Sequence, residues 1–341
     1  MIATLVMIIN RSSWFILLLL FALHRPANSF LITMTNMKIN NNNNNNHHHN
    51  NRDTTSSKSS TSSTSATKMT LEETCDRLVE KLKPKLLLLS NTTSDEETKD
   101  GNEEDGGKKP RQLSRQQQQY WICCCGGPGS GKSTFSEMIA SKLNEIVPDS
   151  TIVVPMDGWH IPKDKLLEEH GVDNGLKRRG SPWTFDVQLC IQQLKEAKTV
   201  CHDCGDGAKS SKSSKSNYTL PIYSREISDP IPNGITLDKA KHKIVIVEGL
   251  YLLHKEDTQY GWNELYNMNL FDESLYIKCP SKEEQIDRLV KRSLKTWSQD
   301  KAQTWGEGEE GAKKRVLYND VKNMELIEYC ETLADEVIIN H

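Results

Sequence analysis

The sequence has little net charge and lacks an apolar run long enough for a comfortable membrane span. Its formal charge is -3 over 341 residues, which creates no field that would favour nucleic acid or an anionic membrane surface. The apolar run at 14–23 is shorter than the roughly 20 residues that a spanning helix needs. We therefore expect a small-molecule partner, no nucleic acid and, in the mature form, no membrane. The composition leaves the oligomeric state open.

The apolar run at 14–23 has the surroundings of a secretory signal. Arg11 precedes it, and the small residues Ala27 and Ser29 follow at the two recognition positions before a cleavage after residue 29. This layout predicts a signal peptide over 1–29. The alternative is an uncleaved anchor that includes the apolar residues 5–9.

Residues 30–68 lack the apolar content of a folded segment. They are rich in Ser and Thr, contain an unbroken asparagine run from Asn40 to Asn46, and carry one acid, Asp53. Such a composition cannot offset the entropy cost of ordering, so we expect disorder here. A transit-like segment behind a signal peptide also resembles plastid targeting in algae with secondary plastids. Simple disorder gives much the same composition, and the alternative destination is the ER and secretory pathway.

The cysteines lack the pattern of a disulfide framework. There are nine, and Cys123, Cys124 and Cys125 are consecutive in an apolar run. Neighbouring residues of a strand point to opposite faces, so these three are expected to be buried apolar filler. Cys201 and Cys204 have the spacing of a metal or redox pair but lack a second pair nearby. We expect a surface loop there, with a zinc or redox role left open.

The organisation of the chain follows from its composition. An amphipathic helix is predicted from Thr70 through Leu82 and, past a break at Pro84, towards Leu89. It shares the segment 69–119 with an acidic and Gln-rich linker. The main folded unit is predicted over 120–341, with a disordered insert near 203–217.

Apolar runs and helical patterns alternate within 120–341. Helices are predicted at 132–146, at 186–198 and from a capping box at 281–284 to residue 297. Alternating elements with continuous β-branched strands predict an α/β fold of three layers, a parallel sheet with helices on both faces. The predicted strands are 120–125, 151–156, 243–247, 274–278 and 336–339.

A glycine loop between the first strand and its helix matches the pattern G-x-x-x-x-G-K-[ST]. Its backbone N–H groups and the helix N-terminus suit phosphate groups. Lys132 is expected to reach the β- and γ-phosphates, and Ser133 to ligate Mg²⁺. The loop predicts a P-loop NTPase fold with a nucleoside triphosphate site made of Gly126, Gly127, Pro128, Gly129, Ser130, Gly131, Lys132, Ser133 and Thr134.

Two acids follow other predicted strands. Glu248 comes directly after 243–247 and is expected to act on the metal through water, although a solvent-facing turn residue is the alternative. Asp157 follows 151–156 and is expected to orient an acceptor hydroxyl and take its proton, although Asp-Gly after a strand is often only a turn. The sequence lacks an N-K-x-D guanine signal and an ABC-transporter signature, which disfavours both of those classes.

The sequence resembles the phosphoribulokinase/uridine kinase/pantothenate kinase superfamily, most closely its branch of ATP-dependent kinases of fungi and bacteria, some labelled fructose-transport-system kinases. The matching segments occur in the order of the family and span about 120 to 341. They are GGPGSGKST at 126–134, VPMDGWH at 154–160, KRRGSPWTFD at 177–186, PIYSREISDPIP at 221–232, IVEGLYLL at 246–253, RLVKRSLKTW at 288–297 and YNDVKN at 318–323.

The resemblance implies an ATP- and Mg²⁺-dependent kinase with a helical lid, and it implies roles for particular residues. Asp157, Lys132 and Arg292 would be catalytic, and Ser133 and Glu248 would hold the metal. The basic lid residues would be Arg288, Lys291 and Arg292. The resemblance gives no physical role for Asn319, Asp320 and Asn323. The acceptor side would be lined by His160, Arg178, Arg179, Asp186, Tyr223 and Arg225.

The acceptor itself stays open. The sequence lacks the nucleoside-base reader of uridine kinases and the full sugar-phosphate clamp of phosphoribulokinase. Arg178, Arg179, Arg225 and the lid cations could also be solvated surface charge. The first hypothesis is therefore a kinase for a hydroxyl of a sugar-, nucleoside- or pantothenate-like metabolite. The second is a nucleotide-binding regulatory protein or NTP hydrolase without such an acceptor.

Overall fold

A sheet of five parallel strands forms the centre of the structure. In this computed structural model, residues 69–91, 119–199 and 217–341 are described, and they lie in one unit of the chain, Ser65–His341. The strand order is β2-β5-β1-β6-β7, with every pairing parallel. All five predicted strands are confirmed: β1 (Tyr120–Gly126), β2 (Thr151–Pro155), β5 (Ile244–Gly249), β6 (Glu273–Lys278) and β7 (Glu336–Ile339).

Several predictions fall outside the described residues. They are the signal peptide 1–29, the transit-like segment 30–68, the linker beyond residue 91, and the insert together with Cys201 and Cys204. Among the described residues, no helix combines the length and apolarity needed to cross a membrane.

The central strand β1 contributes to a separate apolar core on each face of the sheet. Trp121, Cys123 and Cys125 pack into one core, and Ile122 and Cys124 pack into the other. This alternation follows from the two-residue period of a strand. The prediction that the three cysteines are buried filler is confirmed, because each is at most 1% exposed and unbridged.

Helices cover both faces of this sheet, as predicted. One face carries α1 (Leu71–Asn91) and α2 (Lys132–Ile146), whose apolar residues share a core with the sheet. The other carries α4 (Val187–Thr199) and α5 (Trp262–Asn267). The three-layer α/β architecture of P-loop proteins is therefore present, and it places the carboxyl ends of β1, β2 and β5 side by side.

Helix α1 continues through Pro84, so the predicted break at that position is wrong. A proline inside a helix leaves one carbonyl of the preceding turn without its N–H partner. Pro84 lies on the exposed face of α1, where water can bind that carbonyl. Leu78, Leu82 and Leu86 on the opposite face are buried in the sheet core, so α1 lies within the folded unit.

Helix α6 (Lys282–Leu294) begins at the predicted capping box, where the Ser281 hydroxyl accepts a hydrogen bond of 3.1 Å from the Glu284 N–H. It ends three residues before the predicted end at Trp297. It shares a small apolar cluster, including Leu289 and Met324, with the helices that follow. The elements that sequence periodicity did not predict are α3 (Lys163–Gly171), the antiparallel hairpin of β3 (Asn217–Ser224) and β4 (Asp229–Asp238), α5, α7 (Gln299–Trp305), α8 (Gly308–Arg315) and α9 (Val321–Leu326).

Candidate active site

The glycine loop connects β1 to α2 at the carboxyl edge of the sheet. Gly131 precedes α2 with φ 95° and ψ 10°, a left-handed conformation that costs other residues about 1–2 kcal/mol. A Cβ atom at this position would lie 2.1 Å from the side-chain nitrogen of Asn340. Position 131 is therefore restricted to glycine both by the backbone conformation and by the space available.

Two buried amide side chains hold this loop from outside. The Asn340 side chain donates a hydrogen bond of 2.8 Å to the Ser130 carbonyl. The Gln285 side chain, on α6, donates a hydrogen bond of 2.8 Å to the Pro128 carbonyl. These contacts fix the loop before any ligand binds. Sequence reasoning missed both residues, because a single amide directly after a strand or inside a helix has no recognisable spacing.

The carboxylate of Glu248 lies against the start of α2. Its Oε1 accepts a hydrogen bond of 3.0 Å from the Ser133 hydroxyl, and its Oε2 lies 3.9 Å from Lys132 Nζ. Oε2 is buried without a hydrogen-bond donor in the described part of the chain. Burial raises the pKa of Glu248, Lys132 opposes this increase, and the charge of Asp157 adds to it.

The pair of Ser133 and Glu248 suits Mg²⁺. Magnesium prefers hard oxygen ligands and usually keeps several waters while binding one or two carboxylates and the phosphates of a substrate. The described residues contain no cluster of three or more His, Cys, Asp or Glu side chains placed for a metal. A hydroxyl and one carboxylate beside a phosphate loop therefore fit Mg²⁺ bound together with a nucleotide.

Asp157 lies at the end of the neighbouring strand. β2 pairs with β5 so that Pro155 is opposite Glu248, and Asp157 follows in a single 3₁₀ turn, Met156–Trp159. Its side chain is 49% exposed. Of the two carboxylates at this edge, Glu248 is thus buried beside the loop, whereas Asp157 faces open space.

His160 supports the turn that carries Asp157. Its Nδ1 lies 2.8 Å from the Asp157 carbonyl, and a carbonyl only accepts, so Nδ1 carries the hydrogen. Burial lowers the pKa of His160, which favours the neutral ring. The ring centroid lies 4.0 Å from that of Phe185 and 5.0 Å from that of Tyr223.

The consecutive residues Arg178 and Arg179 point to different partners. Arg178 donates to the Tyr318 carbonyl and, at 3.4 Å, to Asn323 Oδ1. Arg179 donates a hydrogen bond of 2.8 Å to Asp229 Oδ1, and its guanidinium carbon lies 5.6 Å from the centre of the Tyr223 ring.

The motif at 318–323 holds the loop that contains these two arginines. The Asn319 side chain donates a hydrogen bond of 2.8 Å to the Arg179 carbonyl, and the Ser181 hydroxyl donates one of 3.0 Å to Asn323 Oδ1. Asn319 and Asn323 are 2% and 1% exposed. The structure thus gives this motif a physical role that spacing alone did not provide.

The comparisons with known proteins agree with this geometry. No protein-family model matches the sequence. The protein named ATP-dependent kinase YFH7 from Candida glabrata is 31% identical over 158 residues, covering 42% of this chain and 45% of that protein. A Schizosaccharomyces pombe protein provisionally named a uridine kinase is 29% identical over 147 residues, covering 43% and 57%. Other matches are named pantothenate kinase. The chain spans about half the length of the curated relatives it matches.

Solved structures extend the likeness over most of the chain. A crystal structure from Silicibacter, provisionally described as a fructose transport system kinase, has a TM-score of 0.52 and 25% identity, covering 80% of this chain and all of that one. YFH7 from Saccharomyces cerevisiae has a TM-score of 0.54 and 19% identity, covering 78% and 98%, which supports the fold alone. The chain therefore resembles the P-loop kinases of the phosphoribulokinase/uridine kinase/pantothenate kinase superfamily. The resemblance predicted from its motifs is confirmed.

The predicted lid cations lie on α6. Arg288 donates to Glu284 Oε1 at 2.6 Å and to the Asn340 carbonyl at 3.1 Å. Its guanidinium therefore contacts the residue whose side chain supports the glycine loop. Lys291 and Arg292 are exposed. Burial raises the pKa of Asp320, and Arg315 and Arg292 lower it, so Arg292 lies near the motif at 318–323. Its catalytic role stays a prediction.

The remaining predicted acceptor residues have different surroundings. Asp186 Oδ1 accepts a hydrogen bond of 3.0 Å from the Leu189 N–H and so caps the start of α4. Tyr223 is half-buried near His160, and Arg225 is exposed in the turn between β3 and β4. His160, Arg179 and Tyr223 are therefore brought together near Asp157. Arg178, Asp186 and Arg225 have structural or solvent contacts, and their acceptor roles stay predictions.

Proposed function

We propose that the chain is an ATP- and Mg²⁺-dependent kinase that phosphorylates a hydroxyl group of a small metabolite. The observation that carries the proposal is the arrangement at the carboxyl edge of β5 and β2. There the buried Glu248 accepts a hydrogen bond from Ser133, and the half-exposed Asp157 lies at the end of the next strand. A nucleotide-binding protein without chemistry has no need of the second carboxylate.

The phosphate side of the proposed reaction uses the glycine loop. Its backbone N–H groups and Lys132 would bind the β- and γ-phosphates, while Ser133 and Glu248 would hold Mg²⁺. When bound, Mg²⁺ would neutralise negative charge on the phosphate oxygens. Because Asn340 and Gln285 already hold the loop, its donors are oriented before ATP arrives. This preorganisation is the main contribution that a protein makes to phosphoryl transfer.

The acceptor side uses Asp157. Its carboxylate orients the acceptor hydroxyl and takes its proton as the oxygen attacks the γ-phosphorus, while the bond from that phosphorus to the β–γ bridging oxygen breaks and ADP leaves. His160 keeps the Asp157 backbone in place through its hydrogen bond to the carbonyl. Arg292, exposed on α6, adds positive charge to the transferring phosphoryl group when the site closes, which excludes water from the reaction.

The relatives named uridine kinase and pantothenate kinase guide the choice of acceptors to test. We would offer nucleosides, pantothenate, glycerate, free sugars and sugar phosphates to the purified chain with Mg²⁺ and ATP, and detect the phosphorylated alcohol by mass spectrometry. Formation of one such product supports the kinase. ATP binding or slow hydrolysis that no acceptor on the panel stimulates would favour a regulatory nucleotide-binding protein or an NTP hydrolase instead.

We also propose delivery to a plastid, supported by the signal-like segment 1–29 and the transit-like segment 30–68. A fluorescent protein fused behind residues 1–69 tests this in an alga with secondary plastids. Plastid fluorescence is expected, whereas retention in the ER or secretion would reject the proposal.

A further inference from the structure

Arg178 has a structural role that Arg179 does not share. The Arg178 guanidinium donates to the Tyr318 carbonyl and to Asn323. It also lies 5.5 Å from the ring centre of Trp183 and 5.7 Å from that of Tyr318. The described contacts of Arg178 are therefore with residues that support the loop.

Arg179 is largely buried, and part of its hydrogen-bonding capacity is unused. Its side chain is 13% exposed. One nitrogen, Nη2, donates to Asp229. Nε and Nη1 are buried and donate no hydrogen bond within the described part of the chain. Buried charged donors without an acceptor are destabilising and uncommon in folded proteins, so these two call for a further partner.

Asp229 does not supply that partner, because its carboxylate is already shared. It accepts hydrogen bonds of 3.1 and 3.3 Å from the backbone N–H of Lys163 in addition to the one from Arg179. These contacts hold Asp229, and with it one end of the Arg179 guanidinium, between α3 and the β3–β4 hairpin. Apart from Asp229, Arg179 interacts with the Tyr223 hydroxyl, which is neutral because burial raises its pKa, so among the described residues Nε and Nη1 have no second anion as a partner.

The unused donors belong to the same group of side chains as Asp157. Tyr223 packs against both Arg179 and the ring of His160, and His160 is hydrogen-bonded to the turn of Asp157. The charge of Arg179 also affects the pKa values of His160 and Tyr223. Burial lowers the pKa of His160 and Arg179 lowers it further, while burial raises the pKa of Tyr223 and Arg179 opposes that rise.

We infer that Arg179 binds an anionic group, a carboxylate or a phosphate, on the alcohol that Asp157 activates. The acceptor is then an anionic alcohol, and the cation offsets the repulsion that such a substrate meets from the carboxylates of Asp157 and Glu248. Because Asn319 holds the Arg179 backbone, the guanidinium is positioned in advance. This inference rests on the proposed kinase function.

Matched alcohols with and without an anionic group test the inference through activity. Suitable sets are glycerol, glycerate and glycerol 3-phosphate; panthenol and pantothenate; ribose and ribose 5-phosphate. Phosphorylation is expected only for anionic members, and the carboxylate and phosphate members show which anion is preferred. Arg179→Gln should raise the KM for that acceptor about 10- to 100-fold, as expected for the loss of hydrogen bonds to a charged group. The KM of Arg179→Lys for that acceptor should lie between those of the wild type and Arg179→Gln.

A binding measurement separates the inference from the kinase proposal. With the glycine loop filled by a non-hydrolysable ATP analogue and Mg²⁺, the full chain is titrated with inorganic phosphate and with acetate by calorimetry. The wild type should bind one of these anions and Arg179→Gln should not. The control Arg77→Gln should bind like the wild type, since Arg77 pairs with Glu336 at the amino end of β7. Thermal unfolding of each variant checks that it is folded.

The activity and binding measurements together distinguish failure of the anion site from failure of the kinase proposal. Phosphorylation of neutral alcohols alone would overturn the inference and support a kinase. Anion binding unchanged by Arg179→Gln would overturn the inference, and the activity assay then decides the kinase proposal by itself. Anion binding that depends on Arg179, with no alcohol phosphorylated, would support the anion site and count against the kinase. If the wild type neither binds an anion nor phosphorylates any alcohol, both proposals are rejected.

Discussion

The side-chain amide of Asn319 donates a 2.8 Å hydrogen bond to the backbone carbonyl of Arg179. These residues are 140 positions apart in the chain. The contact joins the helical segment after α8 to the loop beside the acceptor space. If the kinase proposal holds, Asn319 is therefore a positioning residue, which acts on the acceptor through Arg179.

Replacing this amide tests that role. Asn319→Ala leaves the Arg179 carbonyl without its buried donor, which costs about 1–3 kcal/mol and loosens the loop. We expect the KM for the acceptor to rise about tenfold or more, while the affinity for ATP stays unchanged. Steady-state kinetics with each substrate varied in turn gives both values. An equal loss of ATP and acceptor binding would indicate general destabilisation.

Gly131, in the glycine loop, can be compared with Gly261, which precedes α5 and has the same backbone conformation. Gly131 and Gly261 have φ/ψ of 95°/10° and 96°/9°, so alanine costs each about 1–2 kcal/mol of backbone strain. At Gly131 the new Cβ would also lie 2.1 Å from Asn340, whereas at Gly261 it meets, at 3.0 Å, the end of the exposed Gln188 side chain. Gly131→Ala should abolish ATP binding measured by calorimetry, and Gly261→Ala should preserve it. Equal ATP affinity in the two variants would contradict the proposed steric role of Asn340.

Helix α1 should contribute to the stability of the folded unit. Leu78 is 1% exposed and Leu88 is 65% exposed on the same helix. Removing a buried leucine side chain costs about 2–5 kcal/mol, whereas an exposed one changes stability by at most about 0.5 kcal/mol. Chemical denaturation should show this difference between Leu78→Ala and Leu88→Ala. Similar midpoints for the two variants would place α1 outside the cooperative unit.

The buried Glu248 predicts a pH-dependent stability. Burial raises its pKa above the ordinary value of 4.5, with Lys132 acting against this. Above pH 4.5 the folded chain then holds a proton that the unfolded chain releases, so the free energy of unfolding falls as pH rises towards the folded pKa. The free energy of unfolding of Glu248→Gln should not show this decline, because the glutamine side chain does not titrate.

We therefore expect the metal-free Glu248→Gln variant to gain stability relative to wild type as pH rises from 4.5 to neutrality. Thermal unfolding without nucleotide measures the difference. Mg²⁺ and ATP should reverse the order, since they bind the charged carboxylate of the wild type. A difference independent of pH would mean that Glu248 titrates normally in the folded chain.

The parallel sheet could be predicted because its strands are nearly continuous apolar runs that end in distinctive residues. β1 leads into a glycine loop, and β5 ends in Glu248-Gly249. The β3–β4 hairpin could not be predicted in the same way. β4 contains Pro230, Pro232 and Gly234 and is largely exposed, so its sequence has the composition of a turn.

The acceptor side was predicted only in part, because its geometry depends on contacts between distant segments. The motif resemblance placed Arg178 and Arg179 together, but only the fold shows that one binds Tyr318 and Asn323 while the other lies beside Tyr223. Asn340 and Gln285 support the glycine loop through single amides that no spacing rule identifies. Residues that belong to a motif of consecutive positions could be picked out from the sequence, whereas contacts between distant segments could not.

The central claim is that Asp157 activates an acceptor hydroxyl for attack on ATP bound at the glycine loop. It is tested most directly by comparing wild type with Asp157→Asn in the transfer of labelled γ-phosphate from ATP to the best acceptor. We expect the variant to bind Mg²⁺ and ATP normally and to transfer phosphate about 10²- to 10⁴-fold more slowly, as expected for the loss of a general base. Transfer at the wild-type rate by Asp157→Asn would show that this carboxylate is not the base.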